Sequence, residues 1–472
     1  MLTRIRRAAV VVGTLAVGAA TLGAAATAAA SAASATGATH TPKPRVTSVS
    51  VDHGSTYGGT ALTVRGTHFQ HVRSVKFGGV PGSHVHVDSA TKLSVTAPAH
   101  TAARVDIRVT TDAGTSHPSS HDRFFFQITD RLAGGFLHSC ELSSGSVRCW
   151  GYNAQGELGN GTTTNATTAV RVNGLHHVTS VAAGLYHSCA LTDNGDVWCW
   201  GLNSSGQLGN GTTTDSDVPV RVTGLGTALA ISAGGTHTCA IVVGDKARCW
   251  GSNDSGQLGN GTTTGATVPQ TVDNLTKVVD LAAGENFTCA VRSVGTVYCT
   301  GDNSTNELGD GTTTSSTTVV RTMSIEHAVA VSSGGFSSCV ITRAAKAECW
   351  GYGIYGQLGN GGTASSGHPV AVGGLTGVSR LSVGGFHACA ISHHHGYCWG
   401  YNTFGQIGNG TTTNESSPTP VSTLSTVSEI AAGYYHSLAV RTSGGTRAWG
   451  YNGAGQLGNG TTTNSTTPVP VS

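Results

Sequence analysis

Twelve cysteines are the residues of this 472-residue chain whose spacing most directly implies chemistry. They fall in pairs, Cys140 with Cys149, Cys189 with Cys199, Cys239 with Cys249, Cys289 with Cys299, Cys339 with Cys349 and Cys389 with Cys398. A seventh copy of the pattern carries Leu438 and Ala448 in place of both. Paired presence and paired absence imply six disulfides, each across one hairpin, and leave no thiol over for catalysis. Two sulfurs per pair fall short of the four donors of a structural zinc site. Each bridge closes a loop of about ten residues, for which chain entropy gives roughly 2.5–3 kcal/mol, an upper figure because a hairpin already holds its ends together.

Histidine recurs as well, at His138, His187, His237, His387 and His436. A ring of imidazoles can bind metal, but each of these follows a tight glycine turn and reads as structural hydrogen bonding. Eight further histidines between residues 44 and 127 are scattered without ligand spacing, and His393-His394-His395 falls at a hairpin tip. No metal or other cofactor is therefore expected. The Gly206 to Gly209 segment and its copies cradle no phosphate, because no lysine follows and no helix opens there. Gly-x-Ser-x-Gly and His-Glu-x-x-His are missing from the sequence, so the expectation is a binding protein and not an enzyme.

Seven aligned turns, one just before each histidine position, vary most. They carry Phe136, Tyr186, Phe336, Phe386, Tyr434 and Tyr435, with Gly235-Thr236 and Glu285-Asn286 at the remaining two. One turn per repeat places all seven on one face. Aromatics on turns are typical anchors for a protein partner or a sugar; alternatively, they pack over a central channel as a plug. Tyr352, Tyr355, Tyr401, Phe404 and Tyr451, after the Trp-Gly step, form a second and weaker patch.

The element that must position these residues is a repeat. The first cysteine or its equivalent stands at 140, 189, 239, 289, 339, 389 and 438, in steps of 49 or 50 residues, which means one supersecondary unit used seven times. Within a unit, Cys189-Ala190-Leu191 and Val197 to Trp200 flank Asn194-Gly195 and predict a β-hairpin. Cys189 opposite Cys199 sets Ser188 against Trp200, so a small residue leaves room for the indole. One run before the hairpin (Val178 to Ala183) and one after it (Val218 to Val222) complete four strands. Radially stacked four-stranded blades make a β-propeller.

The patterns Gly-x-x-His-Ser-Cys-Ala-Leu (184–191) and Trp-Gly-x-Asn-x-x-Gly-Gln-Leu-Gly-Asn-Gly (200–211) resemble the repeat of the regulator of chromosome condensation family. That resemblance implies an all-β fold with a seven-bladed propeller over residues 128–472. It leaves function open, since the fold hosts exchange factors, ubiquitin ligase modules and a secreted β-lactamase inhibitory protein. The fourth unit departs most, with Phe287 for histidine, Thr300 for tryptophan, Asn306 for glycine and Asp310 for asparagine, through either looser packing or reshaping for contact. Because the chain stops at Ser472, a strand over 128–133 is expected to join the C-terminal strand in one mixed blade and tie the ring shut.

Upstream, residues 1–35 read as a signal peptide, with Arg4, Arg6 and Arg7 before an Ala-rich apolar stretch and Ala-Ser-Ala sites. A short linker, 36–43, follows. Residues 44–127 lack cysteine and the fifty-residue period; Ala61 to Arg65, Val105 to Val109 and Phe124 to Phe126 alternate as strands of a small antiparallel sandwich. Gly58-Gly59-Thr60, Gly66 to Phe69, Val75 to Gly79 and Ala97-Pro98 resemble an IPT/TIG immunoglobulin-like domain. No linker separates it from the repeats, which implies a fixed orientation.

Without the three leader arginines, 23 of the 26 Lys and Arg remain against 24 Asp and Glu, so no surface suits nucleic acid. The reading is a secreted, monomeric, non-enzymatic binding protein, free of the membrane after signal cleavage, that recognises an extracellular protein or glycan. An inhibitor of an extracellular enzyme is the first rival and a carbohydrate-active enzyme the second. Export separates the chain from any intracellular GTPase.

Overall fold

The computed structural model describes residues 41–472 apart from 56, 57, 101, 102, 128, 144 and 425. The expected signal peptide, the linker up to residue 40 and Ile128 lie outside the described residues. Every described regular element is a strand.

The N-terminal part forms two sheets. One orders the strands Arg45–Val49, Ala61–Thr67, Lys92–Thr96 and Ser83–Ser89, and the other His53–Ser55, Arg123–Gln127, Ala103–Thr111, Val72–Phe77 and Val80–Pro81, with Gly114–Thr115 beside Ala103–Thr111. Alternation along these strands turns Leu62, Val64, Phe77, Leu93, Val95, Ile107, Val109, Phe124 and Phe126 into one core, each at most 4% exposed. Pairing is antiparallel except between His53–Ser55 and Arg123–Gln127, which run parallel.

Seven four-stranded antiparallel sheets follow, and each is built from four consecutive strands. The first comprises Leu132–Gly134, His138–Ser143, Ser146–Gly151 and Ala166–Arg171; the second Val178–Ala183, His187–Thr192, Val197–Gly201 and Ser216–Arg221. The seventh comprises Val427–Ala432, His436–Arg441, Thr446–Gly450 and Ser465–Pro470. The hairpin register sets Cys189 against Cys199 and Ser188 against Trp200, and it pairs the cysteines of the other five sheets in the same way. Six disulfides close these pairs. Cys140 is bonded to Cys149, Cys189 to Cys199 and Cys239 to Cys249. Cys289 is bonded to Cys299, Cys339 to Cys349 and Cys389 to Cys398, and no described cysteine is free. In the seventh sheet Leu438 lies directly opposite Ala448, both fully buried, so apolar volume replaces the bridge.

The mixed closing blade is not formed. Leu132–Gly134 pairs with His138–Ser143 of its own sheet, and Ser465–Pro470 pairs with Thr446–Gly450. The repeat begins at its inner strand, so the chain holds seven whole units and none has a strand to borrow. The ends meet by lateral contact instead. The Glu429 carboxylate accepts the backbone N–H of Leu132 at 3.1 Å and that of Arg131 at 2.5 Å, and Ala169 N donates to Ser472 O at 3.1 Å.

All seven inner strands line one cavity of about 760 Å³, walled mostly by Ala, Gly, Ser and Val, with Asp130, Asp280, Arg380 and Glu429 also in its lining. Inner strands expose an unpaired backbone edge, a hazard in any sheet. Here neighbouring inner strands cover it: Ser232 Oγ accepts from Ala283 N (3.0 Å), Asp280 Oδ2 from Val331 N (2.8 Å), Ser332 Oγ from Val383 N (3.0 Å) and Ser382 Oγ from Ala432 N (2.9 Å).

The register of the seventh sheet makes a further bridge testable. In the double variant Leu438→Cys, Ala448→Cys the two thiols should oxidise to a disulfide and stabilise the protein by about 1–2 kcal/mol, less than the chain-entropy ceiling because the hairpin is already closed. Thiol titration of the folded protein together with denaturant unfolding checks this; two persistently reactive thiols would contradict the register.

Candidate functional site

The turns that carry the variable aromatics are fixed by a contact between neighbouring sheets. Trp200 Nε1 and Ser188 Oγ of the second sheet both donate to the Glu157 carbonyl of the first, at 2.7 and 3.1 Å. Ser188 Oγ also lies 2.9 Å from His138 Nε2. Because the hydroxyl hydrogen goes to the carbonyl, the imidazole must donate through Nε2–H, which leaves Nδ1 a buried acceptor without a partner and the ring neutral. Burial accordingly lowers His138 and His237 to about 4, and His187, His387 and His436 to about 3. The ring of histidines is thus structural, as its place beside glycine turns implies. A Cβ on Gly184 would stand 2.4 Å from His187 Cε1 and 2.3 Å from the Gly234 carbonyl oxygen, which is why glycine precedes the histidine by three.

The same contact joins the last sheet to the first. Ser139 Oγ donates to the Gln456 carbonyl at 2.9 Å and lies 2.7 Å from His436 Nε2, while Trp150 Nε1 donates to that carbonyl at 2.8 Å. In the fourth sheet the departures are compensated on the spot. Phe287 fills the histidine position at 1% exposure, Thr300 Oγ1 donates to the Gly256 carbonyl at 2.9 Å, and Asn306 adopts the positive φ of its glycine counterparts. Asp310 Oδ1 accepts from Thr312 N at 3.0 Å, as Asn260 Oδ1 does from Thr262 N.

The frame brings the aromatics to one end of the cavity. Phe136 packs against Tyr186 (5.4 Å between centroids), Tyr434 (4.9 Å) and Tyr435 (5.8 Å), and Phe386 against Phe336 (5.4 Å), Tyr434 (5.3 Å) and Tyr435 (6.1 Å). The second patch is continuous with these rings. Tyr355 lies 5.6 Å from Phe386 and 4.9 Å from Tyr401, Phe404 lies 5.5 Å from Tyr435 and 4.9 Å from Tyr451, and Tyr352 lies 6.1 Å from Phe336. Turn and loop positions that are distant in sequence emerge at the same end of adjacent sheets, because both lie at the same end of the central hairpin strands. The result is one half-buried crescent from the fifth sheet round through the seventh to the second. Ile354, 47% exposed, adjoins it in sequence.

Tyr434 is the turn aromatic that reaches another sheet through a hydrogen bond. Its ring packs where a Cβ on Gly385 would stand 2.6 Å away, and its hydroxyl donates to Glu285 Oε2 of the fourth sheet at 3.1 Å. Burial and the neighbouring carboxylate push the Tyr434 phenol well above its ordinary value, so it stays protonated. Burial likewise raises Glu285. Sequence reading gave Glu285 no role; its one signal was a carboxylate at a position that is small or apolar in most other repeats. Among the described residues no cluster of three His, Cys, Asp or Glu side chains could hold a metal. The geometry offers stacking surface and hydrogen bonding.

A family model described as RCC1-like domain matches residues 105–385 and 231–472, and one described as IPT/TIG domain matches residues 44–126. Among solved structures, the chain is similar to human WBSCR16 (TM-score 0.64, 20% identity, 70% of this chain and 94% of that one). It is also similar to yeast RCC1 (Prp20) in its structure bound to Kap60 (TM-score 0.63, 20% identity, 69% and 83%). Prp20p from Saccharomyces cerevisiae, described with its binding to Gsp1p and histones, gives a TM-score of 0.63 at 20% identity over 70% and 87%. Likeness at this identity shows a shared β-propeller fold.

Glu157 tests the buried electrostatics of the frame. It stands where Gln207, Gln257, Gln357, Gln406 and Gln456 occupy five other repeats, and burial raises its carboxyl to about 7. The folded state then keeps a proton that the unfolded chain releases, so stability falls as pH rises from about 4.5 to about 7. Glu157→Gln should add up to about 3 kcal/mol at pH 8 and far less at pH 5. The histidines act in the opposite sense: their contribution is complete above about pH 6.5 and is lost as pH falls towards 3–4. Urea unfolding of both proteins at the two pH values is the measurement, and an equal gain at both would refute the assignment.

Proposed function

The chain belongs to the RCC1-like domain family, and from that premise we propose that it is a secreted, monomeric binding protein, not an enzyme, that engages a macromolecular partner through the aromatic end of a closed seven-bladed propeller. In this reading each four-stranded sheet over residues 128–472 is one blade, and the IPT/TIG immunoglobulin-like domain of residues 44–127 is carried as a spacer. The observation that carries it is the crescent itself. Phe136, Tyr186, Phe336, Phe386 and Tyr435 are half-buried, contiguous and gathered where repeats differ, while the fully buried positions repeat. Rigid aromatic rings give large contact area at little entropic cost.

Two further observations support it. The similar yeast proteins are described as binding Kap60, Gsp1p and histones, so binding is a use to which this fold is put. Six disulfides suit an oxidising compartment, in keeping with the leader-like residues 1–35.

The test is capture. Purified mature protein and a Phe386→Ala, Tyr435→Ala variant of equal thermal stability are immobilised and exposed to native medium or a cell-wall fraction. A partner retained by the wild type should be reduced at least about tenfold on the variant, the loss expected for two central anchors. Equal recovery would refute the aromatic face.

A further inference from the structure

Basic charge is segregated along the propeller axis. The turns and loops at the aromatic end (135–137, 152–165, 184–186, 202–215 and their counterparts) contain no Lys, Arg or His, while Glu285, Asp302, Asp310, Asp254 and Asp215 place carboxylates there. All 14 Lys and Arg of residues 129–472 lie within or beside strands or at the opposite end, where Lys246, Arg343, Lys346 and Arg441 adjoin the hairpin tips. Of these carboxylates, Glu285 contacts a ring and Asp302 lies near Glu285. Glu285 holds the Tyr434 hydroxyl at 3.1 Å, and Asp302, the first residue after its strand, is braced by Ser304 N and Ser315 Oγ, each at 3.1 Å.

From this we propose that the crescent takes a cationic polypeptide segment, with lysine or arginine side chains over the rings and their charge directed towards Glu285. The proposal rests on the binding role of the aromatic face and names the chemistry of its partner. Aromatic faces attract ammonium and guanidinium groups through their quadrupole, more strongly where water is displaced. A half-buried carboxylate beside such rings fixes the direction of approach, and a surface without competing cations steers positive charge in and turns polyanions away. A neutral sugar would stack on the same rings but would draw nothing from the carboxylates.

The experiment titrates the full mature protein calorimetrically with hexalysine, hexaglutamate and chitohexaose, at low and at physiological ionic strength. Four proteins are compared: wild type, Glu285→Gln, Tyr435→Ala, and Asp88→Asn in the N-terminal sandwich as a control for general charge. Glutamine keeps an acceptor for Tyr434, and matching thermal melts exclude misfolding. Hexalysine should bind wild type and the control alike, weaken with salt, and lose about five- to tenfold in affinity in both Glu285→Gln and Tyr435→Ala. Hexaglutamate should not bind. Chitohexaose as the sole ligand, sensitive to Tyr435→Ala and indifferent to Glu285→Gln, would overturn the cationic assignment and leave the aromatic face standing. Hexalysine binding indifferent to both substitutions would overturn both.

Discussion

One backbone carbonyl per repeat carries the architecture. It belongs to the Gln or Glu of the Gly-Gln-Leu-Gly turn and accepts from the next sheet's indole, from its Ser or Thr hydroxyl, or from both; where the hydroxyl reaches that carbonyl it is held in turn by a histidine of the preceding sheet, as Ser188 is by His138. The side chains of this contact are buried, so each missing partner leaves an unsatisfied polar group in a low-dielectric interior. The recurring residues follow from that need. Tryptophan supplies reach and bulk, serine or threonine a hydroxyl small enough to face it, and glycine the space for the imidazole. Leucine or isoleucine at the turn is fully buried between sheets.

Disulfide and hydrogen bond divide the labour. Sulfur ties the two central strands of six sheets internally, and the carbonyl contact ties sheet to sheet. The fourth sheet shows how much freedom this leaves. It has lost both histidine and tryptophan, yet Thr288 Oγ1 still reaches the Gln257 carbonyl at 2.9 Å and Trp350 of the next sheet still reaches Glu307. With the frame secured from behind, the outer turns can vary, and there the rings and carboxylates collect.

Much of this was written locally in the chain. Cysteine pairs about ten residues apart, an Asn-Gly between apolar runs and a fifty-residue period suffice for hairpins, bridges and repeated sheets, because each is a short-range pattern. Contacts that join one repeat to the next were not legible. His138 and Ser188 are fifty residues apart, and in sequence each looks like a recurring position of its own unit. For the same reason Tyr355 and Phe386 read as members of two patches although their rings touch. The closing strand was misread through the phase of the repeat: counted from the hairpin, the last unit looks one strand short, whereas counted from the inner strand it is whole. Glu285 drew no notice because its meaning depends on Tyr434, 149 residues away.

The seam between the last sheet and the first is made of the same hydrogen bonds as the other junctions, and no strand crosses it. The ring therefore has no privileged starting point. Joining Ser472 back to the segment before Leu132 and cutting between any other two sheets would leave all seven sheets, their sulfur ties and their mutual contacts in place, so this wheel is a natural substrate for circular permutation.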